Sequence, residues 1–545
     1  MSANPTALRL SRPRALTVPW GQVVASAVYL VVVFGPVAWL TIQATGRLVV
    51  QPALLTRAFS AERLPLLLRS AGLALGVAAG GMLVGTLVAV ALWRWRGGRW
   101  ASLRWLVLVL APVPAYVHAL AWSSSLARID RILTAHGWAG PPTSGPWIAG
   151  FVQAMALLPL AVALGILALD AVGTDLVEAA RLCRGDLVVL WRVALPLAAP
   201  LILAGGGVLL VLSLLDYSVP ALFQVNVYAL AVFADYSTTN DPITAFAMAI
   251  PLIALAVVIV VLVQGRLRRA AQRPPHHRPA QAAALAWSRW FGAVLGVAML
   301  VMAAQVLVPL VRLAADVGSV DVLASTVSAA RREVAFSLGV ALAAAALCLP
   351  LAVAAGLQLQ RGDAVGRMWW LLVTLPLAVP ASLVGIGLIS LWNRPAFGGI
   401  YGSAAMPVLA ALVRFVPLAA LAVLAQSRRI DPLLIDAARV HQTSGRQTWW
   451  RVRLPLLVPG LVAAAALAFA LTLGELGATL IVAPPGDQTL TMRIYNYMHY
   501  GASDAVAGLC LAMAAAAVLA GLVTLIALGG WARVSGRAGS VEEAP

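Results

Sequence analysis

The chain has 545 residues, 62% hydrophobic and 11% charged, with a formal net charge of +18 and no lysine. A soluble domain is nearer half apolar and a quarter charged, so this balance excludes one and points to an integral membrane protein. The all-arginine excess is the kind that orients membrane helices rather than a nucleic-acid footprint, and the dispersed Cys183, Cys348 and Cys510 form neither a disulfide framework nor a metal spacing.

Taken in chain order, apolar runs predict about twelve spans. In the first half they lie at about 22–43, 69–93, 102–125, 146–169, 197–217 and 243–265; in the second, at about 291–313, 334–358, 368–393, 404–426, 456–482 and 505–530. The first run is too long for a signal-peptide core and lacks a small-residue cleavage site, so it is expected to be retained. Arg9, Arg12 and Arg14 precede it. Arg94, Arg96, Arg99 and Arg104 fall between spans two and three, and Arg266, Arg268, Arg269, Arg273 and Arg278 between six and seven. Arg533 and Arg537 follow the last span, while Asp216 to Asp241 contains no arginine. This asymmetry predicts that both termini are cytoplasmic. Arg331 and Arg332, at the outer end of span eight, are the main exceptions.

Between spans four and five, residues 170–196 are too polar to cross a bilayer. Asp170, Asp175, Glu178, Arg181, Arg184, Asp186 and Arg192 interleave with Leu176, Val177, Leu182, Leu187, Val188, Leu190 and Trp191. Helical spacing would sort the second set onto one apolar face. Pro196 is expected to mark the start of span five, because proline is tolerated in a first helical turn. Between spans ten and eleven, residues 427–455 follow the same plan with Leu433, Leu434, Ile435, Val440, Trp449 and Trp450. Two readings fit such loops: a helix lying in the lipid headgroups, or a surface closely packed against a partner.

The loops are also copies of one another. Glu178-Ala179-Ala180-Arg181 and Trp191-Arg192-Val193-Ala194-Leu195-Pro196 match Asp436-Ala437-Ala438-Arg439 and Trp450-Arg451-Val452-Arg453-Leu454-Pro455. In each, the acid lies about five helical turns before the Leu-Pro. Glu178 and Asp436 stand 258 residues apart, as do Pro159 and Pro417, whereas Pro196 and Pro455, and Asp216 and Glu475, stand 259 apart. Such a constant offset predicts an internal duplication. The expected domains are a first repeat at 1–265, a basic Pro-rich linker at 266–289 and a second repeat at 290–545. Six spans per repeat return the chain to its starting side, so the repeats would be parallel. His276 and His277 in the linker lack the further ligands a metal site needs. Small residues kept at two adjacent positions favour partner packing over a nonspecific lipid contact.

The repeated pattern resembles the EAA loop of permease subunits of bacterial binding-protein-dependent ABC importers, in which a short coupling helix docks in a cleft of the ATPase. The resemblance covers nearly the whole chain. It implies an all-α membrane protein of the type I ABC importer permease fold, with about twelve helices as two parallel six-helix repeats. The coupling residues it implies are Glu178, Ala179, Ala180, Arg181, Gly185, Leu195 and Pro196, then Asp436, Ala437, Ala438, Arg439, Gly445, Leu454 and Pro455. The family places a glycine six residues after the acid; here Arg184 and Gln442 stand there, with Gly185 and Gly445 displaced. The two docking sites are therefore expected to be inequivalent. Gly474-Glu475-Leu476-Gly477-Ala478-Thr479, Val482-Ala483-Pro484-Pro485-Gly486, Thr489-Leu490, Arg493-Ile494-Tyr495 and His499-Tyr500-Gly501 look like the iron(III)-transport group, with thiamine permeases as near relatives.

A chain without lysine cannot supply the lysine of a phosphate-cradling P-loop. The chain is therefore expected not to be an enzyme and to hold no cofactor; ATP would be bound elsewhere. The resemblance implies two ATP-binding ABC subunits on the cytoplasmic side, a periplasmic or lipid-anchored solute-binding protein outside, and residence in the bacterial inner membrane, with no nucleic-acid partner and no metal site. Ionisable groups in spans are the default candidates for a path. Asp216 and Glu475 end spans five and eleven in equivalent positions, and Arg414 lies within span ten, placed to pair with a carboxylate such as Glu475. His118 and Gln153 read as lone polar groups hydrogen-bonded between helices. Tyr228, Phe233, Asp235 and Tyr236, with Tyr495, Tyr497 and Tyr500, are expected to fold back at the mouth or to meet a binding protein. An ion-coupled secondary transporter is the alternative from another class, but mid-span carboxylates are nearly absent.

Overall fold

Within a bilayer no water is present to satisfy exposed backbone groups, so long apolar runs satisfy them internally as helices. The computed structural model describes residues 20–93, 113–271, 285–441, 444–500 and 503–540, and among these there is helix and connecting turn but no strand. Arg9, Arg12, Arg14, the segment from Arg94 to Arg104, the linker residues 272–284 with His276 and His277, Gln442, Gly501 and the first part of the third predicted span lie outside the described residues.

In the first half the principal helices are α1 (Trp20–Val50), α2 (Arg63–Trp93), α3 (Ala115–Ala135), α4 (Pro146–Asp170), α5 (Thr174–Cys183), α6 (Leu195–Leu215), α7 (Tyr228–Thr239) and α8 (Pro242–Ala271). In the second they are α9 (Arg289–Val317), α10 (Arg331–Gln358), α11 (Ala364–Thr374), α12 (Ala381–Trp392), α13 (Ala405–Ser427), α14 (Pro432–His441), α15 (Leu454–Leu473), α16 (Leu490–Tyr500) and α17 (Ser503–Ser540). Among the described residues, ten helices are long and apolar enough to cross a membrane, and a bent pair makes an eleventh.

The two halves pack on one plan. α2 lies against α4 and α6, and α4 against α6; α10 lies against α13 and α15, and α13 against α15. The first helix of each half crosses to the other. α1 packs on α10, α12 and α13, and α9 packs on α2, α3 and α4. Tyr29 of α1 is buried beside Trp369 and donates its hydroxyl hydrogen bond to Leu372 O at 3.0 Å, tying α1 to the second half. Small residues permit close crossings. A Cβ at Gly85 on α2 would meet the Ala161 Cβ of α4 at 2.6 Å, and one at Gly356 on α10 would meet Ala420 O of α13 at 2.7 Å.

Among the described residues four predicted spans differ in course: in the third, α3 begins only after Pro114 and runs to Ala135, past the predicted end at 125. The helix carrying span five runs unbroken from Asp186 to Leu215, so Pro196 sits inside it rather than at its start. A proline there removes one backbone donor and crowds the carbonyl four residues back, which belongs to Arg192. The chain answers with a π-helical turn at Leu190–Ala194. The same turn recurs at Trp449–Arg453 before Pro455, within a helix running from Gly445 to Leu473. Span nine is bent by 100° between α11 and α12, because Pro380 holds extended backbone (φ −57°, ψ 144°). Span eleven stops at Leu473, and residues 474–478 leave the helix before a short turn at Thr479–Val482.

The close crossing of α2 and α4 gives a direct test. Gly85→Ala should cost about 1–3 kcal/mol through overpacking and lower the thermal unfolding midpoint of the detergent-solubilised protein. Gly76→Ala, on the same helix with nothing within 4 Å of its added methyl, should leave the midpoint unchanged or slightly raised.

Candidate functional site

The first polar loop folds as α5, an extended step at Arg184 and Gly185, and a short helix at Asp186–Val189. Arg181 closes this step by donating from Nε to Asp186 Oδ1 at 2.8 Å. The other carboxylate oxygen of Asp186 accepts the Ala286 N–H at 2.6 Å, pinning the end of the inter-half linker to the loop. Glu178 and Ala180 are half-buried and Ala179 is exposed. The expected single apolar face is divided. Val177 and Leu190 are buried with Val189 and Leu285 in one cluster, while Leu182 is 90% exposed and Leu176, Val188 and Trp191 also point outward. Periodicity found the amphipathic helix, but not that it has one apolar side turned inward and another turned out.

The second loop is built alike with different parts. Asp431 Oδ1 accepts the Leu433 N–H at 2.9 Å at the start of α14, and Ser444 Oγ accepts the Gln447 N–H at 3.3 Å to cap the helix Gly445–Thr448. Asp436 and Ala437 are exposed and Ala438 is half-buried. Arg439 lies in α14, with its side chain outside the described residues. Gly185 therefore precedes its short helix, whereas Gly445 lies within one. Position by position, the outward apolar residues match: Leu176 with Leu434, Leu182 with Val440 and Trp191 with Trp450 are all more than half exposed. Leu195-Pro196 and Leu454-Pro455 follow directly on the π-helical turns.

At the opposite end of α6 and α15, the predicted path residues come together. Asp216 Oδ2 accepts from Gln153 Nε2 of α4 at 2.8 Å, and Oδ1 accepts from the Ser218 N–H at 2.9 Å and the Ser218 hydroxyl at 2.6 Å. Ser213 Oγ donates to Gln153 Oε1 at 2.9 Å, fixing the amide. Glu475 Oε1 accepts the Ala478 N–H at 2.6 Å, and Oε2 pairs with Arg414 of α13. The Glu475 side chain is 4% exposed and that of Arg414 29%. Asp216 lies within electrostatic reach of Arg414. The fourth span of each half thus grips the carboxylate ending its fifth. Gln153 and Arg414 are not at the shared offset, which pairs Arg414 with Ala156; the grip has moved by one helical turn between the halves.

Tyr217 carries no signal beyond its place after Asp216, yet it bridges the halves. Its hydroxyl donates to Gly477 O at 3.1 Å and its ring stacks on Phe233 of α7 at 5.3 Å, so the Tyr228–Thr239 segment folds back onto this junction. His118 is buried and contacts Gln305 of α9, joining α3 to the other half. No group of three or more metal-ligating side chains exists among the described residues.

A matched pair of clamps holds the short helices at this end. Ser70 Oγ accepts the Tyr228 N–H at 2.8 Å, and Arg63 makes a two-pronged pair with Asp235 at 2.8 and 2.9 Å. In the second half Ser337 Oγ accepts the Leu490 N–H at 2.7 Å, and Glu333 pairs with Arg493 at 2.5 Å. The charges are reversed. Arg332, an exception to the charge rule, pairs with Asp487 at 2.8 Å.

Residues 348–537 match a family model described as the binding-protein-dependent transport system inner membrane component. The chain is 35% identical over 217 residues to the molybdenum transport system permease protein ModB of Mycobacterium tuberculosis, covering 36% of this chain and 80% of that protein. It is 31% identical over 208 residues to ModB of Haemophilus influenzae, covering 35% and 88%. It is also 30% identical over 169 residues to PhnV of Salmonella paratyphi A, a permease protein named for 2-aminoethylphosphonate transport; this covers 30% of the chain and 62% of PhnV's length.

Breaking the buried pair should be costly. Glu475→Gln leaves the Arg414 guanidinium without its contact charge, a change expected to destabilise by about 3 kcal/mol. The double variant Arg414→Met with Glu475→Gln should recover most of the lost thermal midpoint, since the guanidinium no longer lacks its contact charge and Asp216 keeps its hydrogen bonds.

Proposed function

The chain belongs to the binding-protein-dependent transport system inner membrane components, and we propose from that membership that it forms the membrane path of an ATP-driven importer. The loops at 170–196 and 427–455 are the levers, each gripped by one of two ATP-binding subunits on the cytoplasmic side. A solute-binding protein delivers cargo at the opposite end, near α7 and α16. Both termini are cytoplasmic, and the repeats at 1–265 and 290–545 act as parallel halves.

One observation carries this reading. Both loops turn outward the same apolar positions, Leu176/Leu434, Leu182/Val440 and Trp191/Trp450, next to the matched acid-Ala-Ala. The helix carrying Trp191 or Trp450 continues through a π-helical turn into a membrane helix. An apolar surface held on a stiff arm suits a partner that must push it. ATP binding that favours one state of the partner pair would then shift the bundle between outward- and inward-facing states.

For the cargo, the stretch from Gly474 to Gly501 favours iron(III). The relatives named for molybdenum and for 2-aminoethylphosphonate favour an oxyanion as the second reading.

Uptake of radiolabelled iron(III), molybdate and 2-aminoethylphosphonate in an iron-starved strain lacking the chain tests both levels. The wild-type chain should restore iron(III) uptake. The double charge reversal Glu178→Arg with Asp436→Arg should reduce it about tenfold or more, equivalent to at least about 1.4 kcal/mol of lost coupling, and should abolish cargo-stimulated ATP hydrolysis. Full transport by the double reversal would remove the lever assignment. Restoration of an oxyanion alone would replace iron(III) and leave the importer standing.

A further inference from the structure

Two helix starts and two helix ends converge between the halves. α3 begins after Pro114 (φ −61°, ψ 144°) and α12 after Pro380 (φ −57°, ψ 144°), each within a Val-Pro-Ala sequence. α6 ends at Asp216 and α15 at Gly474. Gly474 lies against Pro114, and Gly477 against Ala381 and Tyr217. A Cβ at Gly477 would meet the Ala381 Cβ at 2.7 Å, so this approach requires glycine. Non-helical backbone inside a membrane bundle is tolerated only where protein buries it or where it lines an aqueous cavity. Paired helix breaks at corresponding places in two halves mark the region where solute passes.

We propose that the Asp216–Tyr217 corner and the Glu475–Gly477 corner close a gate across the path, latched by Tyr217 on Gly477, and that two carboxylates facing one guanidinium make the gate pass cations in preference to oxyanions. The proposal rests on the permease reading but on no particular cargo. Each half fixes its carboxylate from the span that leads into its own loop: Gln153 on α4 precedes α5, and Arg414 on α13 precedes α14. A movement of either loop therefore pulls directly on one side of the latch.

The carboxylates are held rather than offered. Asp216 accepts three hydrogen bonds, and Glu475 accepts one besides its ion pair. They act as a fixed field, not as ligands that would wrap and retain an ion. Arg414 neutralises one carboxylate, and one formal negative charge is left over. A single charge about 8 Å from a passing ion, at an effective dielectric near 20, separates cation from anion permeation by at least about tenfold. A free oxyanion would be turned back here despite the nearby arginine.

The test needs neither ATPase nor binding protein, so its outcome is separate from that of the importer reading. The full chain is purified into liposomes, and leak of radiolabelled sodium and chloride is measured. Wild type should be tight to both. Tyr217→Phe, which removes only the latch hydroxyl, should leak, and Tyr217→Ala should leak more, with sodium faster than chloride by at least about tenfold. Adding Asp216→Asn, which leaves the Arg414–Glu475 pair intact, should bring the ratio to about one. Elution as a single species and a thermal midpoint near wild type identify folded protein; should Tyr217→Ala fail these, Tyr217→Phe decides. Vesicles as tight as wild type would overturn the gate. A leak with no sodium preference, or one unchanged by Asp216→Asn, would overturn its selectivity.

Discussion

The pairing of Arg414 with Glu475 is the constraint around which the centre of this bundle is arranged. An arginine cannot shed its charge by deprotonation, and a charge within a membrane protein is costly unless it is paired or reaches water. The guanidinium therefore fixes where α15 must end and bring its carboxylate. α15 can end there only because Gly474 and Gly477 admit Pro114 and Ala381 at contact distance. The first half solves the same problem without a cation. Gln153, oriented by Ser213, donates to Asp216, and Ser218 supplies the remaining donors. One junction is thus built from an ion pair and the other from an amide, at the same place in two similarly packed halves.

Proline is the second constraint, and it is used in two opposite ways. Pro380 stands where the backbone can turn, and the span bends by 100°. Pro196 and Pro455 stand where the helix must continue, and the lost hydrogen bond is absorbed by a π-helical turn in each half. The difference matters for force transmission. A helix interrupted at Pro196 would let the polar loop swivel independently of the span. A continuous helix with one widened turn keeps them as a single arm while allowing bending at a defined place. Under the proposed function, that arm joins the outward-facing Trp191 to Asp216 at its far end.

Much of this was legible in the sequence because it is local or periodic. The spans follow from apolar runs, the amphipathic loops from helical spacing, and the correspondence of the halves from constant offsets. What was not legible depends on contacts between distant residues. The crossing of α1 and α9 into the opposite halves leaves no periodic trace. The one-turn shift between Gln153 and Arg414 defeats a fixed offset, which sets Arg414 against Ala156 and hides that it performs the counterpart's task. Tyr217 carries no local signal because its role comes from Gly477, 260 residues away. Spacing sets the outward Leu182 on the same face as Val177, because it reports amphipathicity without saying which neighbours cover each side.

The clamps at the far end show what each half has retained. Ser70 and Ser337 both accept the first backbone N–H of a short helix, while Arg63–Asp235 and Glu333–Arg493 keep the ion pair with its sign reversed. Exchanging the order of the charges leaves opposite signs in contact, so position is held while polarity is free to exchange. At the gate polarity is not free. Replacing Arg414 by a neutral partner, as Gln153 is in the first half, would leave two uncompensated carboxylates at the junction; replacing Asp216 by an amide would leave none. The halves therefore differ in net charge at the proposed gate and keep the same packing plan elsewhere, as expected if a common scaffold moves the gate and the departure from symmetry decides what passes through it.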